Sequence, residues 1–215
     1  MKLTLFSYFR SSSTWRVRIA LAWKQLPYEY IAVHLVKDGG EQYRADYLAR
    51  NPQAMVPVLE VEDDGTRRPI AQSLAIIEYL EERVPEPTLF PRDAYLRART
   101  RQLAEIINSG IQPYQNLSVL KRVAGDLGGD DKAWARGFIE RGLAAFEKAA
   151  SETAGRFCVG DAPTLADCCL VPQLYHARRF GADVGPLERL LEIEAACAEL
   201  PAFQAAHPDR QPDAQ

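Results

Sequence analysis

The chain has 215 residues, 47% of them hydrophobic and 26% charged, which is typical of a folded protein with enough apolar material for one or two domains. Its 26 basic and 29 acidic residues leave a formal charge of −3, and this near balance argues against a nucleic-acid or membrane partner. No apolar run approaches the ~20 residues of a membrane span, and the first residues follow a strand pattern instead of a leader pattern.

The first half of the chain alternates between strand and helix patterns. These predict, in chain order, a strand at 3–6, a helix through 17–24, a strand at 28–34, a short helix at 42–49, strands at 55–62 and 69–71, and a helix at 72–84. The first three elements form a βαβ unit with parallel strands, and the Asp63-Asp64-Gly65 turn joins the last two strands as an antiparallel hairpin. We therefore predict an α/β domain of the thioredoxin type over residues 1–84.

Strand patterns disappear after the proline-rich segment 85–91, which is predicted to be a linker. Helical patterns follow at 94–123, 131–154, 164–179 and 186–200. They predict an all-α C-terminal domain over residues 92–207. The polar, proline-rich tail at 207–212 is expected to be unstructured or to lie on the surface.

The cysteines indicate the redox environment. Cys158, Cys168, Cys169 and Cys197 form no C-x-x-C pair, and the three histidines are far apart in sequence. Such thiols are expected to be free and mostly buried, in a reducing cytoplasm. We predict no metal site.

Four hydroxyl residues, Ser11 to Thr14, separate the first strand from the first helix. A hydroxyl at this position can accept a hydrogen bond from a first-turn amide, and a helix N-terminus attracts anions. The stretch therefore predicts a site for a thiolate, carboxylate or phosphate. The alternative is that these residues only cap the helix.

Two dipeptides lie at the predicted ends of other elements. Val56-Pro57 precedes the third strand, where a thioredoxin-like sheet carries a cis-proline that exposes the preceding amide and carbonyl to a peptide backbone. An ordinary strand-start proline is the alternative. Gln72-Ser73 opens a helix at the same sheet end as Ser11, so the two helix starts together predict a ligand with two anionic groups.

Other polar residues are weaker candidates. Arg10 and the Arg178-Arg179 pair have guanidinium groups suited to substrate carboxylates, although solvated surface positions would explain them equally well. Gln112 and Asn116, at i and i+4, are predicted to share one face of the first long helix.

Three further residues are assigned mainly to folding. Thr164 and Asp167 predict a capping box at the start of a helix. Tyr8 either offers its phenol to a thiol or points into the core, and Cys158 is expected to be an inert, buried thiol.

Together these motifs resemble the zeta class of glutathione transferases. The resemblance extends from Lys2 to Asp213 and rests on the runs at 11–21, 56–57, 72–80, 110–113, 116–120 and 164–167. It implies a thioredoxin-like domain that binds glutathione, an all-α second domain and a homodimer. It also implies a glutathione-dependent cis–trans isomerase of an unsaturated dioxo dicarboxylic acid, acting in aromatic amino-acid catabolism.

The resemblance also assigns site residues. It gives a catalytic role to the motif Ser11, Ser12 and Ser13, with the Ser11 hydroxyl bonded to the glutathione sulfur. The residues implied to bind glutathione are Ser11, Ser12, Ser13, Gln42, Val56, Pro57, Gln72, Ser73, Gln112 and Asn116. Arg10 and Arg179 match positions suited to substrate carboxylates.

One departure from the family pattern bears on the chemistry. Ser13 stands where the family has a cysteine, and a serine can donate a hydrogen bond but supplies no thiolate at neutral pH. Activity is expected to survive if that cysteine only tunes the site. The alternatives are an isomerase of a shorter diacid, a general transferase or haloacid dechlorinase using the same thiolate, and a non-catalytic glutathione-binding protein.

Overall fold

The computed structural model describes residues 1–214, and the chain forms two compact units. One unit contains residues 1–88 together with the chain from Leu200 onward, and the other contains Leu89–Glu199. The predicted C-terminal domain of 92–207 differs from this division because the segment after Leu200 packs with the sheet. Within residues 1–214, no helix is long and apolar enough to cross a membrane, and no His, Cys, Asp and Glu cluster suits a metal ion.

The first unit is built on a four-stranded mixed sheet in the order β2-β1-β3-β4. Its elements are β1 (Lys2–Ser7), α1 (Ser12–Trp23), β2 (Glu29–Ala32), α2 (Ala45–Leu48), β3 (Val58–Asp63), β4 (Thr66–Ala71) and α3 (Ser73–Arg83). Strand β2 is parallel to β1, and β3 is antiparallel to both of its neighbours. The predicted thioredoxin-like α/β fold is therefore confirmed.

Two local differences from the sequence prediction have clear causes. The predicted helix at 42–49 is broken because Arg44 is extended, which leaves 3-10 helices at Lys37–Gly39 and Glu41–Tyr43 before α2. Strand β4 starts at Thr66 because Asp64 and Gly65 both take positive φ (51° and 74°) in a two-residue turn that continues the hairpin ladder.

The strand register determines which loops share one end of the sheet. Phe6 near the end of β1 pairs with Val58 at the start of β3, and Val58 also pairs with Ala71 at the end of β4. At the same edge, Ser7 of β1 pairs with Ala32, the last residue of β2. The loops that follow β1, β2 and β4 and the loop that precedes β3 therefore emerge together.

The tail is not unstructured, which was the first of the two expectations for residues 207–212. After Leu200, α9 (Pro201–Ala206) packs on α1, and a 3-10 helix follows at Pro208–Arg210. Asp213 accepts hydrogen bonds from the Phe9 amide (3.0 Å) and the Tyr30 hydroxyl (2.5 Å). The sequence pattern missed this because the partners lie about 200 residues away along the chain, beyond any local pattern.

The second unit is helical, as predicted. Its helices are α4 (Ala94–Asn108), α5 (Leu117–Gly125), α6 (Asp131–Ala150), α7 (Leu165–Arg179) and α8 (Glu188–Ala198). The predicted helix at 186–200 ends early because Leu200 is extended before Pro201, which then begins α9 at a first-turn position.

The prediction of one helix over 94–123 was wrong. The chain leaves the α-helical pattern after α4, where the Gly110 amide donates to the Glu105 carbonyl at 3.3 Å and a Cβ on Gly110 would lie 2.5 Å from the Ile106 carbonyl oxygen. Pro113 then lies in a 3-10 helix, Gln112–Gln115. Gln112 thus belongs to this 3-10 helix whereas Asn116 caps α5, its Oδ1 accepting the Ser118 amide at 3.0 Å. The two residues do not share a face of one α-helix.

The predicted capping box at the start of α7 is confirmed. The Thr164 amide and hydroxyl donate to Asp167 Oδ2 at 2.7 and 2.8 Å, and the Cys158 amide donates to Oδ1 at 2.9 Å. Burial raises the pKa of Asp167, and these donors oppose the rise by stabilising its carboxylate. The box therefore joins the start of α7 to the loop that contains Cys158.

Replacing Thr164 with alanine should lower the free energy of unfolding by about 1–2 kcal/mol, because it removes the cap and one donor to a buried carboxylate. Urea unfolding followed by circular dichroism measures the change. Ser151→Ala is the control, because its exposed hydroxyl donates only to the Lys148 carbonyl at the end of α6. An equal effect of the two substitutions would contradict the role given to the box.

Candidate functional site

Helix α1 begins at the serine motif, and Ser11 is its N-cap. The Ser11 side chain accepts the Thr14 amide (3.3 Å), and its carbonyl accepts the Trp15 amide (2.9 Å). Accepting a hydrogen bond uses a lone pair and leaves the hydroxyl hydrogen to donate. Half-buried Ser11 can therefore present an O–H donor at the positive end of α1, where it would stabilise an anion. Ser12 and Ser13 form the first turn.

The Val56-Pro57 bond is cis, as predicted. Tyr47 and Asn51 fix the preceding loop, because both donate to the Met55 carbonyl at 2.7 and 2.8 Å. Within residues 1–214, neither the amide nor the carbonyl of buried Val56 hydrogen-bonds to another residue. An amide and a carbonyl on one extended residue are suited to pairing with the backbone of an extended peptide.

Helix α3 begins at the same sheet end. Gln72 has a φ of 74°, and its carbonyl accepts the Ile76 amide, so the chain turns sharply from β4 into the helix. The hydroxyl of buried Ser73 accepts Arg16 Nη1 at 3.3 Å. This bond places Ser73 beside α1 and sets a buried guanidinium between the starts of the two helices. Two helix N-termini and a guanidinium together favour a carboxylate as the ligand.

Gln42 lies in the loop after β2 and is 6% exposed. Its Nε2 donates to the Leu35 carbonyl at 3.2 Å, while its buried Oε1 has no hydrogen-bond partner among residues 1–214. A Cβ on Gly40 would lie 2.7 Å from the Gln42 side chain, and Gly40 takes a φ of 107°, so only glycine fits there. Gln42 is thus held in place, and its Oε1 remains available to accept a hydrogen bond.

Arg10 directly precedes Ser11, and its guanidinium stacks on the Phe9 ring at 5.0 Å. Its Nη2 donates to the Tyr8 hydroxyl at 2.9 Å. Tyr8 is 5% exposed, which favours the core alternative for its ring, while its phenol oxygen orients Arg10. The arginine can therefore present a charged group beside the serine motif.

The remaining predicted residues belong to the helical unit. Gln112 and Asn116 lie at the break between α4 and α5, and Arg179 is exposed at the end of α7. Arg178 is not available as the sequence suggested, because its guanidinium donates to both oxygens of Glu194 at 2.6 and 2.5 Å. Hydrogen bonding to Glu194 also raises the pKa of Arg178.

Sequence reasoning missed the buried arginines of α1. Arg16 is 0% and Arg18 1% exposed, although charged residues seldom reach full burial without partners. One signal could have revealed them. Both charges lie in a helix whose apolar residues occupy every face, so no polar face remains to expose them. Both arginines hydrogen-bond to groups that border the serine motif.

The cysteines are structural. All four are free and buried, and burial raises the pKa of Cys158 well above its ordinary value and also raises that of Cys197. A thiol with a raised pKa supplies little thiolate at neutral pH. The expectation that Cys158 is inert is consistent with this burial.

The first unit thus has a thioredoxin-like fold in which the start of α1, the cis Val56-Pro57 bond and the start of α3 lie at one sheet end. Models of the glutathione S-transferase N-terminal and C-terminal domains match residues 5–88 and 115–205. Rat maleylacetoacetate isomerase is 48% identical over 99% of this chain and 95% of its own length. A glutathione S-transferase zeta class protein of Euphorbia esula is 45% identical over 99% of this chain and 92% of its own. The chain belongs to the zeta class of the glutathione transferase family.

Two solved structures are similar throughout. Maleylacetoacetate isomerase from Anaeromyxobacter dehalogenans, crystallised with GSH in its active site, is 59% identical with a TM-score of 0.92, covering 100% of this chain and 98% of that one. A maleyl pyruvate isomerase described as a bacterial zeta-class enzyme is 43% identical with a TM-score of 0.91, covering 99% and 100%.

Proposed function

We propose that this chain is a glutathione-dependent isomerase that converts maleylacetoacetate to fumarylacetoacetate. Relatives with that name match it over nearly the whole length, at 44–48% identity for the curated proteins and 59% for a solved structure. The observation that carries the proposal is the sheet end where the Ser11 cap, the unpartnered Val56 peptide groups and the start of α3 occur together.

The residues present fit glutathione, an acidic tripeptide with a thiol. The free amide and carbonyl of Val56, beside Pro57, would pair with its backbone, and the spare Gln42 oxygen would accept an amide. Gln72 and Ser73, at the start of α3, would hold the γ-glutamyl end. Ser11, with Ser12 and Ser13 in the first turn, would surround the sulfur. We also propose binding roles for Gln112 and Asn116.

When bound, glutathione supplies a thiolate for reversible addition to the cis double bond of the substrate. The task of this chain is to keep that sulfur ionised, since a cysteine thiol has a pKa of about 8.5. The Ser11 hydroxyl would donate to the sulfur, and the N-terminus of α1 would add its dipole. Lowering the thiol pKa by one unit requires about 1.4 kcal/mol, which one charge-assisted hydrogen bond can supply.

Arg10 and Arg179 are proposed to bind the two substrate carboxylates, because a guanidinium matches a carboxylate in geometry and charge. Their charge would also stabilise the negative charge that develops on the substrate oxygen during addition.

Ser13 supplies a donor where the family has a cysteine, and this suits a reaction whose nucleophile is the tripeptide sulfur. We further propose a cytoplasmic location, consistent with four free, buried cysteines, and a homodimer, which the resemblance to the zeta class implies.

A glutathione-dependent maleylpyruvate isomerase is the second candidate. The 43% identical maleyl pyruvate isomerase structure favours it, as does the missing motif cysteine. The segment Asn116 to Leu120 favours the first candidate, because it resembles the maleylacetoacetate enzymes more closely.

The test follows both diacids spectroscopically with purified protein, with and without glutathione. We expect turnover of maleylacetoacetate to exceed that of maleylpyruvate and to disappear when all small thiols are removed. A glutathione analogue with a methyl group in place of the thiol should bind competitively without supporting turnover. Equal rates after thiol removal would refute the proposal, and faster turnover of maleylpyruvate would favour the second candidate.

A further inference from the structure

The turn Tyr8–Arg10 connects the end of β1 to the Ser11 cap and is held largely by side chains. The Ser11 amide donates to the Tyr8 carbonyl at 2.9 Å, which closes the turn. The pairing of β1 with β2 ends just before it, where the Val33 amide donates to the Ser7 carbonyl at 2.7 Å. The backbone groups of Phe9 therefore depend on partners outside the sheet.

Arg18 holds the carbonyl side of this turn. From the second turn of α1 its Nη2 donates to the Phe9 carbonyl at 2.9 Å and its Nη1 to the Ser7 hydroxyl at 3.3 Å. Its Nε donates to the Ala206 carbonyl at 3.1 Å, at the end of α9. Burial lowers the pKa of Arg18 to about 10, and the negative charge of Asp213 opposes this shift.

Asp213 holds the amide side of the same turn. Its Oδ2 accepts the Phe9 amide at 3.0 Å, and its Oδ1 accepts the Tyr30 hydroxyl of β2 at 2.5 Å. The neighbouring Ala214 packs against the apolar cluster that includes Phe9 and Val56. Gln211 fixes the approach of the tail by donating to the Ala205 and His207 carbonyls at 3.0 and 2.8 Å.

We propose that Asp213, near the C-terminal end of the chain, is a positioning residue for thiolate stabilisation. Together with Arg18 it fixes the peptide groups of Phe9, and through them the direction in which Ser11 presents its hydroxyl to the glutathione sulfur. This inference rests on the proposed function and extends it, because it makes the segment after α9 part of the site's support.

The physical reason is that a donor stabilises an anion only within a narrow range of distance and angle. The Phe9 amide and the Tyr8 carbonyl belong to one peptide unit, and that carbonyl accepts the Ser11 amide. A rotation of this peptide therefore moves Ser11 directly. Without the carboxylate, the Phe9 amide loses the acceptor that fixes this rotation. Arg10 is displaced by the same motion, because it lies between the two residues.

The test compares Asp213→Ala and Asp213→Asn with Asp209→Ala as the control. Asp209 is an exposed carboxylate in the same tail that lies 3.6 Å from His207 Nδ1, so its loss controls for removing a tail carboxylate that has no bond to Phe9. In the glutathione-free protein, we expect amide exchange at Phe9 to accelerate by about tenfold or more in Asp213→Ala. With glutathione bound, thiolate absorbance should show a thiol pKa raised by about one unit, with kcat lowered about tenfold and the glutathione KM little changed. Asp213→Asn keeps an oxygen that can accept the Phe9 amide. Amide exchange at Phe9, the thiol pKa and kcat should therefore stay close to their wild-type values.

Tyr30→Phe provides a second variant should Asp213→Ala fail to fold. It removes the Oδ1 partner and leaves the Phe9 bond, so it should loosen the tail with a smaller effect on the thiol pKa. Wild-type exchange at Phe9 and a wild-type thiol pKa in Asp213→Ala would overturn the proposal, even with a lower melting temperature. A wild-type protein that binds no glutathione would instead refute the proposed function.

Discussion

Replacing Ser11 with alanine is expected to reduce kcat for isomerisation by about 100-fold or more, the usual effect of removing one preorganised donor to a developing or resident anion. The glutathione KM should change much less, because the rest of the tripeptide is proposed to be held by Val56, Gln42 and Ser73. Loss of the cap to the Thr14 amide should also cost about 1 kcal/mol of stability. Steady-state kinetics, run well below the melting temperature, separates these effects.

Ser11→Thr is the matched control, because threonine retains both the capping oxygen and the hydroxyl hydrogen. It should keep most of the turnover and the wild-type thiolate absorbance of bound glutathione, whereas Ser11→Ala should lose that absorbance at neutral pH. Near-wild-type turnover in Ser11→Ala, or a loss confined to KM, would contradict the role given to the Ser11 hydroxyl.

The sheet was predictable because its signals are local. Alternating apolar residues define β1 and β3, and the Asp64-Gly65 turn determines the hairpin between β3 and β4. The interruption after α4 was harder to predict, since helical spacing continues on both sides of it. The interruption falls at Gly110, where a Cβ would clash with the Ile106 carbonyl, and before Pro113, which has no amide hydrogen to donate; neither residue changes the apolar periodicity.

The candidate site was predictable as far as topology could place it. Once β1, β3 and β4 are ordered in one sheet, Ser11, Val56 and Ser73 must emerge at one end. The supports of that end were not identified, because Arg16 and Arg18 received no role from the sequence and Asp213 lies far along the chain from Phe9. Burying them requires partners that only the folded chain supplies.

Replacing Ser73 with alanine should raise the glutathione KM by about tenfold or more while leaving kcat within about threefold, because a hydrogen bond to a charged group contributes roughly 1.5–3 kcal/mol. The hydroxyl is proposed to hold the γ-glutamyl carboxylate, which is remote from the reacting sulfur. Its loss therefore weakens binding in the ground state and in the transition state equally, which raises KM and leaves kcat nearly unchanged. Calorimetric titration with glutathione provides the affinity directly.

A second consequence of Ser73→Ala separates structure from binding. Arg16 Nη1 loses the Ser73 hydroxyl as an acceptor at a position with no exposure to water, so the free energy of unfolding should fall by about 1–3 kcal/mol even without glutathione. Ser73→Thr keeps the hydroxyl and should restore both stability and affinity. If Ser73→Ala lost stability but bound glutathione like the wild type, Ser73 would serve only to satisfy Arg16. The carboxylate would then be held by the amides that open α3, because they are the remaining donors at that helix N-terminus.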